Sequence, residues 1–422
     1  MTSINIPPFL EEILFHRSST FNLLLVMVII WCAGVLCRRL KQPALLGELL
    51  AGIVFGPSLL GIIQPDETLK VLGELGVFFL MFYAGLESNF SNLKETKKQA
   101  IHVGISGYII PFVAGYFTSR AFGLPIIQSI FIGQALSITA IAVSARVLHD
   151  MNLTKHRIAP VIMGAGVIDD VIALTIFTAL VDIVSSGQVF SFTPIAVSIL
   201  KVLFFFAAVS LMGLWVFPFL GPYLTGREAK GFSFALIIAL LFGFFSEIAG
   251  LHIIIGAYIA GLFVRMSVPN KELFAKINDR FVAITYGFLG PIFFFGLSFH
   301  VDFGVLKTHL PLIIALLLMA VAGKFAGGYL GARTSGMTKS ESTVVGLVMN
   351  GRGAVELIIA SVGLELGIIN DAFFSILVFI AFATTIMPPL SLRLVYSKVL
   401  PGLISLKGER SVSKAPTERE SS

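Results

Sequence analysis

Gly164-Ala165-Gly166-Val167-Ile168-Asp169-Asp170-Val171-Ile172-Ala173-Leu174 places two adjacent carboxylates inside an apolar run from Ile158 to Val181. As a helix rising 1.5 Å per residue, that run is long enough to cross a hydrocarbon layer of about 30 Å. An ionised Asp near the middle of a spanning helix costs roughly 2.5–3.5 kcal/mol on insertion scales, so two unpaired ones would cost about 5–7 kcal/mol. An intramembrane acid is by default a functional-site hypothesis. Consecutive helical residues point about 100° apart, so the two side chains face different neighbours. One is expected to hold a counter-ion of the protein and the other to bind what is transported.

Composition fixes the class. Of 422 residues, 56% are hydrophobic and 13% charged, with a mean hydropathy of +0.93; soluble domains carry about 25% charged residues. This is the make-up of a polytopic membrane protein. The first 20 residues lack a basic region followed by an apolar core, so no cleavable signal peptide is expected. Cys32 and Cys37 share one apolar run, which argues against a disulfide framework or metal cluster. The net charge of +6 belongs mostly to loops, and no nucleic-acid partner is expected.

Thirteen apolar segments follow in order: 21–37, 44–62, 71–87, 100–118, 126–148, 157–182, 193–219, 231–246, 249–265, 282–301, 308–332, 340–367 and 371–397. Of the 30 Lys and Arg, 22 fall in one alternate set of connections and the C-terminal tail, and 4 in the other. Positive charge marks the cytoplasmic side, so the C-terminus is expected inside and the N-terminus outside.

An internal repeat is visible. Leu46-Gly47-Glu48-Leu49-Leu50-Ala51-Gly52 matches Ile255-Gly256-Ala257-Tyr258-Ile259-Ala260-Gly261, and the stretch ending Ala84-Gly85-Leu86 echoes Ile292-Phe293-Phe294-Phe295-Gly296-Leu297. The matched segments, 2 with 9 and 3 with 10, are seven apart, so equivalents cross in opposite directions. That is an inverted repeat of six segments, with segment 7 as linker. In secondary transporters such repeats bracket a site near the midplane, at discontinuous helices.

Segments 5 and 12 are the candidate discontinuous helices. In segment 5, Ser137 and Thr139 could compensate an opened backbone whose carbonyls would suit a small cation, although no Pro or central Gly breaks the run and an intact helix stays open. Segment 12 is interrupted by Asn350-Gly351-Arg352-Gly353. Lys324 stands sixteen residues into segment 11, nine before Arg333, which marks the cytoplasmic end. A buried Lys beside a buried Asp offsets much of the burial cost of each, so Lys324 is expected to pair with Asp169. Arg352 and Glu356, at i,i+4, with Glu48 and Arg146, read as a supporting polar network. Glu247 and His252 fit a solvated outer turn; Lys201 has no evident partner.

Gln42-Pro43, the Leu46–Gly52 motif, Gly56-Pro57-Ser58-Leu59-Leu60-Gly61, Glu74-Leu75-Gly76, Ala84-Gly85-Leu86-Glu87, Ala135-Leu136-Ser137, Arg146-Val147-Leu148, Asp169-Asp170, Gly256 to Gly261, Pro291-Ile292-Phe293-Phe294, Gly323-Lys324 and Arg352-Gly353 occur in that order. Over residues 20–395 this series resembles the cation:proton antiporters of the sodium/proton exchanger superfamily, in the NapA-like electrogenic branch with paired aspartates. The resemblance implies an all-α membrane protein of 13 transmembrane helices, with two inverted six-helix repeats and crossed discontinuous helices in a mobile core. It implies that Asp170 binds either the cation or a proton, that Asp169 (the other candidate metal-ion ligand) partners Lys324, and that Thr139, at the crossing, and Ser137 join them as ion- and proton-binding residues. The expected divisions are a scaffold and dimerisation domain at 1–99 and 228–305, and a sliding core at 100–184 and 306–400. A linker helix at 185–227 and a disordered tail at 401–422 complete the chain.

The expected activity is exchange of a monovalent cation, Na+ first with Li+ admitted, for protons, by a homodimer in a bacterial inner membrane. No cofactor is implied beyond the transported ions, and the chain is not expected to be an enzyme. Two departures leave sodium against potassium open: Ser88 and Asn89 follow Glu87 where an acid is usual, and Glu356 lies one position later than in some sodium exchangers. K+/H+ antiport is therefore the near alternative and a cation channel a remote one. An aspartyl protease is disfavoured, because consecutive acids on a helix diverge.

Overall fold

The computed structural model describes residues 19–40, 42–87, 93–151, 153–154, 156–185, 197, 200, 204, 228–249, 252–268, 271–388 and 391–392. Among these residues the secondary structure is helical, without strands. In chain order the helices are α1 (Ser19–Arg39), α2 (Ala44–Phe55), α3 (Glu67–Glu87), α4 (Leu93–Ala121), α5 (Ile126–Ala135), α6 (Ile141–Asp150) and α7 (Ile158–Ser185). They continue with α8 (Glu228–Ile248), α9 (Ile253–Ser267), α10 (Lys271–Ile284), a π-turn (Thr285–Leu289), α11 (Gly290–Leu297) and the short α12 (Val305–Thr308). Then come α13 (Leu310–Thr334), α14 (Lys339–Val348), α15 (Ala354–Glu365) and α16 (Asp371–Pro388). Seven stretches of the described residues are long and apolar enough to cross a membrane, and α2, α5 and α9 are shorter apolar helices.

The chain forms two compact units. The first comprises residues 1–88, 181–308 and 364–375, and the second 89–180, 309–363 and 376–422. In the first, α2 and α9 use the glycines of the repeated motif for close backbone approach. A Cβ at Gly52 would stand 2.2 Å from the Phe295 carbonyl oxygen, and one at Gly261 1.9 Å from that of Phe82. Small residues at helix contacts permit this in membranes, where water drives no apolar association. Val26, Ile30, Leu69, Ile292 and Phe295 pack around the first of these contacts. In the second unit α13 lies against α4 along Gly323, Gly327 and Gly331. A Cβ on these would meet Pro111, Ser106 and the His102 carbonyl, and the Ser106 hydroxyl donates to the Gly327 carbonyl at 2.7 Å.

Several boundaries differ from those read off the sequence. Segment 2 was expected to run to 62, but α2 stops at Phe55; the Gly56 amide donates to the Gly52 carbonyl, and Gly61 takes a φ of 61° that suits glycine. Segment 10 was expected to begin at 282, but its helix starts at Lys271 with an amphipathic turn that apolar counting misses. His252 is no bare surface residue: its ring accepts from the Ile254 amide and caps α9. Apart from Val197, Leu200 and Phe204, the expected segment at 193–219, with Lys201, lies outside the described residues, as does the tail at 401–422.

Candidate functional site

Both segments expected to be discontinuous are interrupted. Between α5 and α6 residues 136–140 leave the helix, and between α14 and α15 residues 349–353 do so. The interruptions meet: the Ala140 amide donates to the Gly351 carbonyl at 2.8 Å. On one side of that bond the Ser144 hydroxyl donates to the Val348 carbonyl at 3.2 Å, and on the other Arg352 donates to the Leu136 carbonyl. Thr385 closes the second break with a bond of 2.7 Å to the Arg352 carbonyl.

Segment 5 has no Pro or central Gly, so its opening is not a local event. A helix end exposes carbonyls that need donors and carries partial negative charge, which favours cations. Here two consecutive carbonyls at the end of α5 are taken by side-chain cations from distant parts of the chain. Lys324 donates to Ser137 and Arg352 to Leu136. Two of the carbonyls that the opened segment would offer to a small transported cation are thus engaged by the protein's own cations.

Lys324 also binds Asp169, with Nζ 3.1 Å from Oδ2 and 3.4 Å from Oδ1. Lysine and aspartate are 1% and 0% exposed. Desolvation of such a pair is expensive and is recovered only with good geometry and further hydrogen bonds. The Ser137 carbonyl supplies one of these, and Thr139 faces the Asp169 carboxylate. Asp170 is 3% exposed, on α7 one residue beyond. Arg352 stands 3.6 Å from Glu356 across one helical turn, both buried.

The structure therefore brings Asp169, Lys324, Ser137, Thr139, Arg352 and Glu356 into one polar centre, with Asp170 adjoining Asp169 in α7. Ser137 enters through its carbonyl; its hydroxyl donates to Gly133 at 2.8 Å. Glu48 is buried on α2 in the first unit, under the charge influence of Arg38. Arg146 lies on α6, and its side chain is outside the described residues. Among the described residues no group of three or more His, Cys, Asp and Glu could hold a metal ion.

Sequence reasoning missed a second pair. Arg157, just before α7, reaches Glu341 in the first turn of α14 through two hydrogen bonds. Glu341 also accepts from the Thr338 amide and hydroxyl in a capping box. The only sequence signal was Thr338 three residues ahead of Glu341.

A profile of the family described as "Sodium/hydrogen exchanger, transmembrane" matches residues 23–398. A Bacillus cereus protein, the Na(+)/H(+)-K(+) antiporter GerN, is 32% identical over 375 residues, covering 88% of this chain and 95% of its own length. An Enterococcus hirae Na(+)/H(+) antiporter is 30% identical over 379 residues, covering 89% and 98%. Among solved structures, the sodium proton antiporter MjNhaP1 of Methanocaldococcus jannaschii at pH 8 superposes with a TM-score of 0.73 over 90% of this chain and 97% of that one, at 16% identity. That match speaks for the fold.

Proposed function

Because the chain belongs to the sodium/hydrogen exchanger family, we propose that it exchanges a monovalent cation, sodium in the first place with lithium admitted, for protons at one buried carboxyl. Like its named antiporter relatives it is a multi-pass membrane protein and a secondary transporter, not an enzyme.

The observation that carries the reading is a charge balance. Among the described residues of the second unit, Asp169, Asp170 and Glu356 are buried with Lys324 and Arg352, while the one further buried acid, Glu341, is matched separately by Arg157. With every group ionised, three negative charges face two positive ones. An uncompensated charge in the interior is costly. One monovalent cation or one proton makes the centre neutral, and both together overshoot. Exchange then follows from competition, with Asp170 as the shared carboxyl beside an Asp169 whose charge Lys324 matches.

In this reading 100–184 with 306–400 form a core that slides as an elevator against a dimerising scaffold of 1–99 and 228–305. The division of the chain into two compact units supports it. Two interrupted helices in segments 5 and 12 support the inverted repeat and, with it, thirteen membrane crossings. The loop charges and the bacterial relatives favour a bacterial inner membrane with the C-terminus inside. A homodimer is part of the same proposal.

A potassium-transporting reading is favoured by one finding, the name of the Bacillus cereus relative, a Na(+)/H(+)-K(+) antiporter. Vesicles holding the purified protein and a pH gradient decide between them, with lithium, sodium and potassium added separately. Proton efflux on sodium or lithium supports the proposal, and efflux on potassium alone transfers the cargo to the second reading. Reversal potentials independent of the pH gradient would mean a channel.

A further inference from the structure

Two buried amides in the second unit share one construction. Gln134, at the end of α5, donates Nε2 to the Ala173 carbonyl of α7 at 3.0 Å. Asn350, in the second interruption, donates Nδ2 to the Gly346 carbonyl at 3.0 Å. They are 0% and 4% exposed. In each, the carbonyl oxygen is buried and receives no hydrogen bond from the protein. A buried acceptor without a donor loses its hydration and gains nothing in return, so native structures hold few of them. A leucine at either place would avoid that loss.

Their positions are not scattered. Asn350 precedes Gly351, whose carbonyl takes the Ala140 amide where the two interruptions meet. Gln134 lies one helical turn before Ser137, whose carbonyl accepts from Lys324, and its anchor Ala173 lies about one turn beyond Asp170. Fixing each amide by its nitrogen leaves the negative end of its dipole unoccupied. Neutral carbonyl-type oxygens are the ligands that hard cations take in exchange for water. Their number and field strength also separate one alkali ion from another.

We propose that the side-chain oxygens of Gln134 and Asn350 are ligands of the partly dehydrated cation and set its selectivity among lithium, sodium and potassium. The inference rests on the reading of Asp170 as the cation-binding carboxyl.

The test is the KM for each of the three ions, measured in vesicles at fixed pH for Gln134→Leu and Asn350→Leu. Melting of the detergent-solubilised protein is followed alongside. Loss of one ligand should raise KM roughly tenfold, and by different factors for the three ions. Asn350→Asp and Gln134→Glu, which keep an oxygen, should hold KM or lower it. If a leucine variant does not fold, Asn350→Ala and Gln134→Ala give the same reading. Unchanged KM values for all three ions, or an equal fall in turnover with KM constant, would overturn the inference. An Asp170→Asn control separates the two levels. Exchange surviving in it brings down the single-carboxyl reading, whereas loss of exchange there with unaltered KM in the amide variants brings down only the ligand assignment.

Discussion

The backbone amide of Ala140 donates to the carbonyl of Gly351 at 2.8 Å, joining two helix interruptions that lie more than two hundred residues apart in the chain. The bond makes the two openings one feature. Each supplies groups that the other needs, since Arg352 of the second break satisfies the Leu136 carbonyl of the first. The buried cations are therefore structural as well as electrostatic, and their removal should be felt in both respects.

Lys324→Met leaves Asp169 as a buried charge without its cation and the Ser137 carbonyl without its donor. Breaking a buried pair from one side costs about 3–5 kcal/mol, whereas removing both partners can be close to neutral. The single variant should melt well below the parent in detergent. Lys324→Met combined with Asp169→Asn should recover most of that loss. A double variant as unstable as the single one would show that the pair is not the source.

Glu356→Gln changes the charge balance rather than the packing. With one acid fewer, the empty centre is already neutral, and a bound cation leaves it positive. The sodium KM should rise severalfold while the protein still folds. An unchanged KM would remove Glu356 from the balance.

Gly261→Ala and Gly296→Ala should behave oppositely, although both glycines come from the repeated motifs. A Cβ at Gly261 would stand 1.9 Å from the Phe82 carbonyl oxygen, so α9 and α3 must separate. Overpacking of this kind costs about 1–3 kcal/mol or more. At Gly296 nothing lies within 4 Å, and alanine is the better helix former by up to about 1 kcal/mol. Thermal melting of the two variants reads the difference directly. Equal destabilisation would contradict the packing described for α9 against α3.

Arg157→Ala leaves Glu341, which is 0% exposed, with only the Thr338 donors. The arginine is 39% exposed, so solvent screens part of the interaction and the expected loss is about 1–3 kcal/mol. Arg157→Lys, which keeps the charge but not the two-pronged geometry, should recover roughly half of it. No difference between lysine and alanine in melting temperature would show that the fork is immaterial.

Much of this arrangement was legible in the sequence because burying charge in a membrane is costly. Asp169, Asp170 and Lys324 stood out as charges in apolar runs; that cost called for a buried pair, and the family resemblance pointed to Asp169 as the partner. The opening of segment 12 was legible from Gly351 and Gly353. Segment 5 was a candidate only through its hydroxyls and its place seven segments before segment 12, with an intact helix left open, because the cause of its opening is distant: cations at 324 and 352 stabilise carbonyls at 137 and 136. The burial of Glu48 was legible too, in the first unit, but hydropathy does not say which helices a charge will join. Arg157 and Glu341 sit at helix ends among polar residues, where an ion pair leaves no mark in composition.

The central claim is that one buried carboxyl takes a cation or a proton in turn, and Asp170→Asn tests it most directly. Proton movement driven by sodium, lithium or potassium is to be measured in vesicles holding the folded variant beside the parent. The parent should respond and the variant should give no cation-dependent signal at any pH tried. Cation-driven proton exchange persisting in Asp170→Asn would contradict the account.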